Sequence, residues 1–397
     1  MKVYVARFSI WCYSRVNKRG SFEEKSIMNV KILAIIAVLL VATAGVVGVF
    51  VLTQNDDSEG FTLTDARGRE VTIPDNVDSI LAIKSCSLEL VSFFNAVNKV
   101  THVDINERFG GSDNRTHGYI LKDKMEGLPV VDPTKVEKVI ESGVDLIISS
   151  SVNVADLDRE QSDYGIPVFA INADLEFGDQ FYEQIIMLGK LFKEEERAEE
   201  LVNGIKEMIS DITYSFLPID SDEVSYESFS AYVCGMNFMG AGNLQKTTGD
   251  YLPFEYAHIR NVMESDSTGV GKQPYSISSV EVIKNRDPQY IFIDGGNYNV
   301  TLSNIRESTN KKTLETVDAI INGDVYKTMV YKSWGTNWQN QLINVYFVAD
   351  TVHGDRFDWV FEEKADEILQ LFHPGTDVTY ADLASAQTGG GCGKVTV

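Results

Sequence analysis

An uninterrupted apolar run near the N-terminus constrains this 397-residue chain more than any other feature. Residues 32–52 read ILAIIAVLLVATAGVVGVFVL and contain no charged side chain. A helix of about 20 residues spans the roughly 30 Å hydrocarbon core of a bilayer. The run therefore predicts an N-terminal transmembrane helix over residues 32–53, with the rest of the chain folding outside the bilayer.

Charges that flank the run predict its orientation. Residues 1–31 hold seven Lys or Arg and two Glu, whereas three acidic residues lie within residues 56–59. By the positive-inside rule, residues 1–31 are cytoplasmic and residues 54–397 are exported, which gives a single-pass protein of the cell membrane. The run has no Ala-x-Ala cleavage site at its end and no lipid-attachment cysteine, so an uncleaved anchor is favoured over a signal peptide. Met28 is an alternative start, because a short basic segment begins there.

Composition indicates a globular exported part. Hydrophobic residues make up 44% and charged residues 23%, which are ordinary values for a folded chain. The chain exceeds the roughly 250–300 residues that a single core usually organises, so two lobes are expected. The net charge of -23 repels nucleic acid phosphates, and nucleic acid is excluded as a partner. A solubility or salt adaptation explains the acidity equally well and implies nothing about a ligand.

Alternating short apolar runs and helical patterns predict an α/β fold with small parallel or mixed sheets. The predicted segments are a linker over 54–60, an N-terminal lobe over 61–175, a connecting helix over 176–216, a C-terminal lobe over 217–375 and a flexible Gly-rich tail over 376–397. The connecting helix has candidate break points at Gly189 and Lys193. Strands are predicted at 79–83, 100–103, 146–149, 168–171, 228–233, 290–293 and 325–330. Helices are predicted at 88–97, 136–142, 155–164, 280–284, 312–321, 339–351 and 362–372.

Sequence templates for catalysis do not occur in the chain. It contains no G-x-x-x-x-G-K-[ST], H-E-x-x-H, G-x-S-x-G or G-x-G-x-x-G motif, so no enzyme and no cofactor are predicted. Its five histidines show no metal-ligand spacing, and no metal site is predicted. Cys86 and Cys234 each follow the first strand of a lobe. Buried free thiols are favoured there over soft ligands or a disulfide.

Loops that follow the predicted strands are rich in Asn, Gly, Tyr and Trp, which favours ligand binding without turnover. Trp334 and Trp338 are expected to cover a planar or bulky ligand, with two core tryptophans as the alternative. Arg108, Arg115 and Lys332 are candidate partners for carboxylate or phosphate-like groups, with plain surface placement as the alternative. The predicted ligand-binding residues are Cys86, Arg108, Arg115, His117, Tyr119, Asn237, Asn243, Asn297, Tyr298, Lys332, Trp334 and Trp338.

Several passages resemble a known family. They are TLTDARGREVTIPDNVDSILAI at residues 62–83, the paired segments VEKVIESGVDLIISS and VEVIKNRDPQYIFID, and IIMLGKLFKEEERAEELVNGIKEMI at residues 185–209. These passages are similar to the extracytoplasmic solute-binding proteins of ABC importers, in the class that binds ferric siderophores, haem or cobalamin. Val144 stands where the family has Pro, and a membrane anchor replaces its lipid-modified Cys, which suggests an archaeal type of tethering.

The resemblance implies two α/β lobes joined by one long α-helix, with a ligand cleft between them. It also implies a monomer that delivers its solute to a membrane permease driven by an ATPase. Acidic residues at the lobe tips dock on the permease in the family, and the nearest candidates are Glu89, Asp250 and Glu255. The expected function is therefore capture of an iron chelate. Cobalamin, haem, an oxyanion or a metal ion are alternative ligands, and a cell-surface sensor or adhesion module is the alternative role.

Overall fold

Two five-stranded sheets organise the computed structural model, which describes residues 60–107, 109, 115–214, 229–237, 242–264, 274–387 and 389–397. The predicted membrane span, the linker before residue 60 and Arg108 lie outside these residues. Within the described ranges, no helix is both long and apolar enough to cross a membrane. The described residues all belong to one compact unit.

Parallel strands form the sheet of the N-terminal lobe, in the order β5-β4-β3-β6-β7. Strands β3 and β6 are buried at every position, because helices cover both faces of the sheet. The lobe consists of β1 Gly60–Thr64, β2 Glu70–Pro74, β3 Ile80–Ile83, α1 Ser87–Ser92, β4 Val100–Asp104, α2 Thr116–Ile120, α3 Lys122–Met125, β5 Val130–Val131, α4 Val136–Ser142, β6 Leu146–Ser149, α5 Val154–Tyr164 and β7 Val168–Ala170.

Two helices, rather than one, follow this lobe. Helix α6 covers Asp179–Phe192 and helix α7 covers Glu195–Tyr214. The chain turns at Lys193, whose φ of 58° is left-handed, and the two helices pack side by side. The Lys206 ammonium accordingly lies 4.7 Å from the centroid of the Tyr182 ring. The segment predicted as one connecting helix over 176–216 thus forms two helices that meet at Lys193, one of its two candidate break points, because a left-handed residue cannot continue a helix.

A mixed sheet forms the C-terminal lobe, in the order β10-β8-β12-β13-β14. The first four strands are parallel, and β14 runs antiparallel to β13. The lobe consists of β8 Ser230–Cys234, β9 Lys246–Thr247, α8 Leu252–Tyr256, β10 Arg260–Asn261, β11 Tyr275–Ser276, α9 Glu281–Arg286, β12 Tyr290–Asp294, α10 Tyr298–Arg306, α11 Ser308–Leu314, α12 Asp318–Ile321, β13 Val325–Thr328, α13 Trp338–His353, α14 Phe361–Phe372, α15 Tyr380–Ala386 and β14 Gly393–Lys394.

The C-terminal tail is built into this sheet. Thr379 and Asp382 form a capping box that starts helix α15. Gly389 lies so close to the backbone of Gly295 that an added Cβ would meet the Gly295 carbonyl oxygen at 2.3 Å. Strand β14 then pairs with β13. The expectation of a flexible tail over 376–397 is contradicted, because these glycines serve close backbone approach.

The two lobes share one buried apolar cluster at their junction. The Trp338 ring of the C-terminal lobe packs 6.0 Å from the Phe93 ring of the N-terminal lobe and 5.4 Å from the Phe181 ring of α6. Phe93 also packs 5.0 Å from Phe372. Burial of several aromatic rings contributes several kcal/mol to the free energy of unfolding, so the packed rings hold the two lobes in a defined orientation.

Candidate functional site

The lobes meet where the loop after β13 reaches the loop after β3. The Cys86 thiol of the N-terminal lobe lies 3.5 Å from the Thr336 carbonyl oxygen and 4.0 Å from that of Trp334. The Thr336 N–H donates to the Ala173 carbonyl oxygen over 3.4 Å. Both loops leave the carboxyl ends of parallel strands, which is where α/β proteins place their ligands.

The segment from Lys332 to Asn337, called here the Trp334 loop, presents one large aromatic side chain to solvent. Lys332 and Thr336 form an antiparallel bridge, and the Ser333 N–H donates to the Gly335 carbonyl oxygen over 2.9 Å. At the tip, Trp334 has a φ of 57° and its side chain is 73% exposed. A left-handed backbone at a non-glycine residue costs about 1–2 kcal/mol, and such strain clusters at functional positions.

Exposed apolar side chains stand at the same edge of the N-terminal sheet. Ile105 follows β4 and is 48% exposed, while Val152 and Val154 follow β6 and are 76% and 42% exposed. Because β4 and β6 flank β3, these side chains lie around the loop that holds Cys86. These three side chains, called here the apolar rim, are candidates for a binding surface. Sequence reasoning missed these three residues, although each is an aliphatic residue just after a predicted buried strand.

Cationic groups near the rim are engaged by carboxylates. The Lys332 ammonium lies 3.8 Å from Glu176 Oε1, and both side chains are largely buried. The Tyr331 hydroxyl donates to the same carboxylate oxygen over 3.2 Å. The Lys84 ammonium, just after β3, pairs with Glu160 at 2.6 Å. The Trp334 loop is thus tied through Lys332 and Tyr331 to the chain segment that leaves the first lobe.

A buried group of four charges lies behind Cys86 in the N-terminal lobe. His117 Nδ1 is 3.4 Å from Glu89 Oε2, and His117 Nε2 is 3.4 Å from Glu107 Oε2. The Arg115 guanidinium donates to the same Glu107 oxygen over 3.0 Å. Burial alone would lower the pKa of His117, but the hydrogen bond to Glu107 and the close carboxylates of Glu107 and Glu89 raise it to about 9. Burial raises the pKa of Glu89, against the effect of His117.

This arrangement corrects three predicted roles. Arg115 and His117 do not line an open site, because they are buried and paired with carboxylates. Glu89 is 1% exposed, so it does not stand at a lobe tip where a permease would dock. A single sequence shows a charged residue but not the distant partners that allow it to be buried.

Trp338 is also misassigned by the sequence. Its side chain is fully buried among Phe93 and Phe181, and the indole N–H donates to the Leu175 carbonyl oxygen over 2.8 Å. No face of this ring is left for a ligand. The alternative of a core tryptophan is therefore correct at position 338, while Trp334 remains a ligand-binding prediction.

Other predicted site residues join neighbouring loops of the C-terminal lobe. The Asn297 amide donates to the Gly235 carbonyl oxygen over 2.8 Å, and the Gly235 N–H donates to the Asn243 carbonyl oxygen over 3.0 Å. The Lys327 ammonium lies 5.1 Å from the centroid of the Tyr298 ring. Asn237 and Tyr119 are half-buried, Asp250 is half-buried, and Glu255 is exposed. These residues stay predictions for ligand or partner contact.

The cysteines are free thiols in the described part of the chain. Cys234 donates to the Phe292 carbonyl oxygen over 3.6 Å within its own sheet, whereas Cys86 faces the Trp334 loop. Burial raises the pKa of both thiols, which keeps them protonated. Among described residues, no group of three or more His, Cys, Asp or Glu is placed to hold a metal ion.

Comparison with known proteins gives one family match. The family described as "Periplasmic binding protein" matches residues 131–330. The "uncharacterized ABC transporter substrate-binding lipoprotein YvrC" of Bacillus subtilis (strain 168) is 27% identical over 165 residues, which is 41% of this chain and 49% of that protein. The matching part thus spans about half the length of this curated relative.

Solved structures share the fold. The molybdate periplasmic binding protein MolA of a Haemophilus influenzae ABC transporter superposes with a TM-score of 0.58 at 17% identity, covering 80% of this chain and 99% of that one. A protein of an ABC-type Fe3+-hydroxamate transport system from Saccharomonospora viridis gives a TM-score of 0.50 at 17% identity, covering 74% and 98%. At these identities the likeness concerns the fold alone.

Proposed function

This chain belongs to the periplasmic binding protein family, and from that premise we propose that it is the substrate-binding component of an ABC importer. The resemblance found in the sequence is thereby confirmed at the level of the family. The relatives are described as binding proteins, not enzymes, which confirms the expectation that the chain is no enzyme. Its mechanism is reversible capture of a solute and transfer to a permease that an ATPase drives, with no bond made or broken.

Trp334 carries the assignment of the ligand site. The indole of Trp334 is 73% exposed on a strained backbone, so packing does not explain why a tryptophan occupies this position. Its surroundings are fixed by the Lys332–Thr336 bridge and by the contact with Cys86, so the ring is presented from a rigid support. Preorganised aromatic groups of this kind contribute binding free energy at low entropic cost.

An iron chelate is the ligand that this surface fits best. Trp334 is exposed on the C-terminal lobe and Ile105, Val152 and Val154 are exposed on the N-terminal lobe, so both lobes offer apolar area to a bulky ligand. The likeness to a protein of an Fe3+-hydroxamate transport system supports the same class. The likeness to a molybdate-binding protein makes a bare oxyanion the second candidate. An oxyanion has no apolar surface to bury, so the exposed apolar side chains would not strengthen its binding. Haem and cobalamin share the bulk and the apolar faces of a chelate.

Residues 32–53 would anchor the protein in the membrane, with the ligand-binding lobes outside the cytoplasm. The permease would meet the lobes through their exposed acidic side chains. Glu255 at the exposed face of α8 and the half-buried Asp250 just before it are the candidates in the C-terminal lobe. Glu89 is no longer one of them. A sensor or adhesion module of the same family would lack a permease partner altogether.

Native mass spectrometry of the full chain in detergent tests the proposal. The chain is incubated with equal amounts of a ferric hydroxamate, a ferric catecholate, haem, cobalamin and molybdate. A ferric chelate adduct is expected, and truncating Trp334→Ala should weaken its binding about tenfold or more, as for an aromatic residue at the centre of a binding site. The matched control is Trp359→Phe, because Trp359 stacks on Phe357 at 4.0 Å instead of facing the rim.

Either of two results would contradict the proposal. Binding of molybdate alone would identify an oxyanion receptor. No adduct with any of the five compounds would favour the sensor or adhesion role.

A further inference from the structure

Strand β12 ends in a carboxylate, Asp294, whose residue is only 1% exposed. Its Oδ1 accepts from the Gly296 N–H over 2.9 Å, within the turn that follows the strand. Its Oδ2 accepts from the Tyr331 N–H over 2.8 Å, in the chain that leaves the neighbouring strand β13. The carboxylate therefore joins the carboxyl ends of two parallel strands, at the edge where α/β proteins bind ligands.

No cationic side chain pairs with Asp294 in the described part of the chain, and its hydrogen bonds come from backbone N–H groups. A buried carboxylate without a counterion costs folding free energy, which a neutral residue of the same size would avoid. Packing therefore does not explain why an ionisable residue occupies this position. Buried groups of this kind are concentrated at functional sites.

Two glycines bring Asp294 close to the second strand. An added Cβ at Gly295 would lie 2.7 Å from the Thr328 carbonyl oxygen, and one at Gly296 would lie 3.0 Å from Asp294 Oδ1. The turn after β12 thus packs directly against the end of β13. This close approach places the carboxylate within hydrogen-bonding distance of Tyr331.

Tyr331 forms the base of the Trp334 loop. Its N–H donates to Asp294, and its carbonyl oxygen accepts from the Asn337 N–H over 3.3 Å. The antiparallel bridge of the loop lies between Tyr331 and Asn337 in the chain. The backbone of Tyr331 therefore connects Asp294 to both ends of the loop that carries Trp334.

We propose that Asp294 is a positioning residue for ligand capture: its ionised carboxylate fixes Tyr331 and thereby sets how the Trp334 loop presents its indole. This role rests on the proposed function of Trp334. Asp294 does not touch the ligand, because it is buried. Asparagine offers one acceptor oxygen where aspartate offers two, so one of the two N–H groups would lose its partner in Asp294→Asn. A protonated carboxyl group is likewise a weaker acceptor than a carboxylate.

Protonation of Asp294 should therefore loosen the loop. The titratable side chains that face it are Cys234 of β8 and Tyr251 just before α8. Burial raises the pKa of both, so neither is charged near neutral pH. Burial also raises the pKa of Asp294 from 3.8 to about 7, against the effect of its two backbone hydrogen bonds. The carboxylate should take up its proton between about pH 8 and pH 6, above the range in which exposed acids titrate.

Fluorine NMR of the ligand-free chain tests the positioning role. The full chain in detergent is labelled with 5-fluorotryptophan, which reports its four tryptophans, and Trp334→Phe assigns the Trp334 signal. Asp294→Asn should displace this signal at pH 8. As the pH falls from 8 to 6, the wild-type signal should move in one step toward its position in Asp294→Asn. The variant itself should show no such step.

Asp145→Asn is the matched control. Asp145 Oδ2 also accepts from two backbone N–H groups, those of Asp78 and Ser79, at 2.9 Å each. It lies just before β6, at the amino edge of the sheet in the N-terminal lobe, whereas the Trp334 loop follows a strand of the other lobe. Asp145→Asn should therefore leave the Trp334 signal and its pH step unchanged.

Ligand affinity supplies the functional readout. With a ferric hydroxamate as probe, Asp294→Asn should weaken binding at pH 8 about fivefold or more, a normal coupling for linked sites. Wild-type affinity should fall between pH 8 and pH 6, and Asp145→Asn should bind as wild type does.

Three results would overturn the positioning role. They are a wild-type Trp334 signal and affinity in Asp294→Asn, a pH step that persists in that variant, and a wild-type signal that stays constant between pH 8 and pH 6. The last of these needs no variant, so it decides the question even if Asp294→Asn does not fold. Absence of ferric hydroxamate binding by wild type at pH 8 would instead refute the proposed ligand class. The ligand-free signal of Trp334 would still decide whether Asp294 positions the loop.

Discussion

Gly335 of the C-terminal lobe presses against Cys86 of the N-terminal lobe so closely that no side chain fits at position 335. An added Cβ would lie 2.2 Å from the Cys86 sulfur, and the φ of 129° at Gly335 is unfavourable for any other residue. The contact sets how closely the Trp334 loop approaches the first lobe. It also explains why a buried thiol occupies position 86: a small apolar side chain fits under the loop and donates to Thr336.

Replacing Gly335→Ala should therefore destabilise the protein by about 2–4 kcal/mol, since overpacking adds to backbone strain. Urea unfolding measures the loss. Gly323→Ala is the matched control, because Gly323 has a φ of 69° but nothing within 4 Å of an added Cβ. It should cost only the strain, about 1–2 kcal/mol. In a Cys86→Ala background the difference between the two glycine variants should become smaller, and an undiminished difference there would show that the sulfur is not the obstacle.

Truncating the two tryptophans of this region should change the free energy of unfolding by very different amounts. Trp338→Ala removes a fully buried ring and its hydrogen bond to Leu175, so the free energy of unfolding should fall by about 3–5 kcal/mol. Trp334→Ala removes a ring that is 73% exposed, and the unfolding free energy should change by less than about 0.5 kcal/mol. Thermal or urea unfolding of both variants measures this contrast. A large loss for Trp334→Ala would show that the ring is a packing residue and would remove the basis of the ligand site.

Buried strands were the most predictable part of this fold. Runs such as ILAI, LIIS and YIFID are apolar except at the ends of the last two, and parallel strands covered on both faces require such runs. The predicted strands at 146–149 and 290–293 coincide with β6 and β12 to within a residue. The sequence indicates Lys193 only as one of two candidate break points, because the apolar spacing of α6 continues into α7 and a left-handed Lys has no sequence signature.

The candidate site was less predictable, since its key features are long-range contacts. Glu89 and His117 are charged or polar residues that a single sequence assigns to the surface, and only the proximity of Glu107 and Arg115 makes their burial tolerable. Trp334 and Trp338 are only four residues apart, yet Trp334 is exposed in the loop and Trp338 is buried, because helix α13 begins at Trp338.

Acid stability should depend on His373, which is buried at the junction of the lobes. Burial lowers the pKa of its imidazole from 6.5 to about 3, helped by the charges of His117 and Arg197. The neutral ring accepts a hydrogen bond from the Gln339 amide at 2.6 Å. Because the folded-state pKa lies below the unfolded value, this stabilisation is present above pH 6.5 and is lost as the pH falls toward 3. The loss should be of the order of several kcal/mol, given that one pKa unit corresponds to about 1.4 kcal/mol.

Urea unfolding between pH 7 and pH 3 checks this expectation. His373→Gln retains an acceptor for Gln339 but does not titrate, so its stability should depend less steeply on pH below 6.5. His102→Gln is the control, because His102 is half-buried and lies in strand β4 away from the junction. If the free energy of unfolding of His373→Gln falls with acid as steeply as that of wild type, other groups cause the loss of stability below pH 6.5. The junction would then not depend on a neutral His373.

The C-terminal segment should prove to be a structural part of the second lobe. Gly389→Ala would place a Cβ 2.3 Å from the Gly295 carbonyl oxygen, and a backbone atom of a buried loop cannot move aside without displacing the end of β12. The expected destabilisation is about 1–3 kcal/mol, with faster amide hydrogen exchange in β13 because β14 loses its anchor. Gly393→Ala is the matched control, since nothing lies within 4 Å of its added Cβ, and it should be neutral within about 0.5 kcal/mol. Equal exchange rates in β13 for both variants would mean that β14 pairs with β13 independently of the Gly389 contact. The tail would then be held by its own hydrogen bonds to the sheet. One of these runs from the Val395 N–H to the Val325 carbonyl oxygen over 2.8 Å.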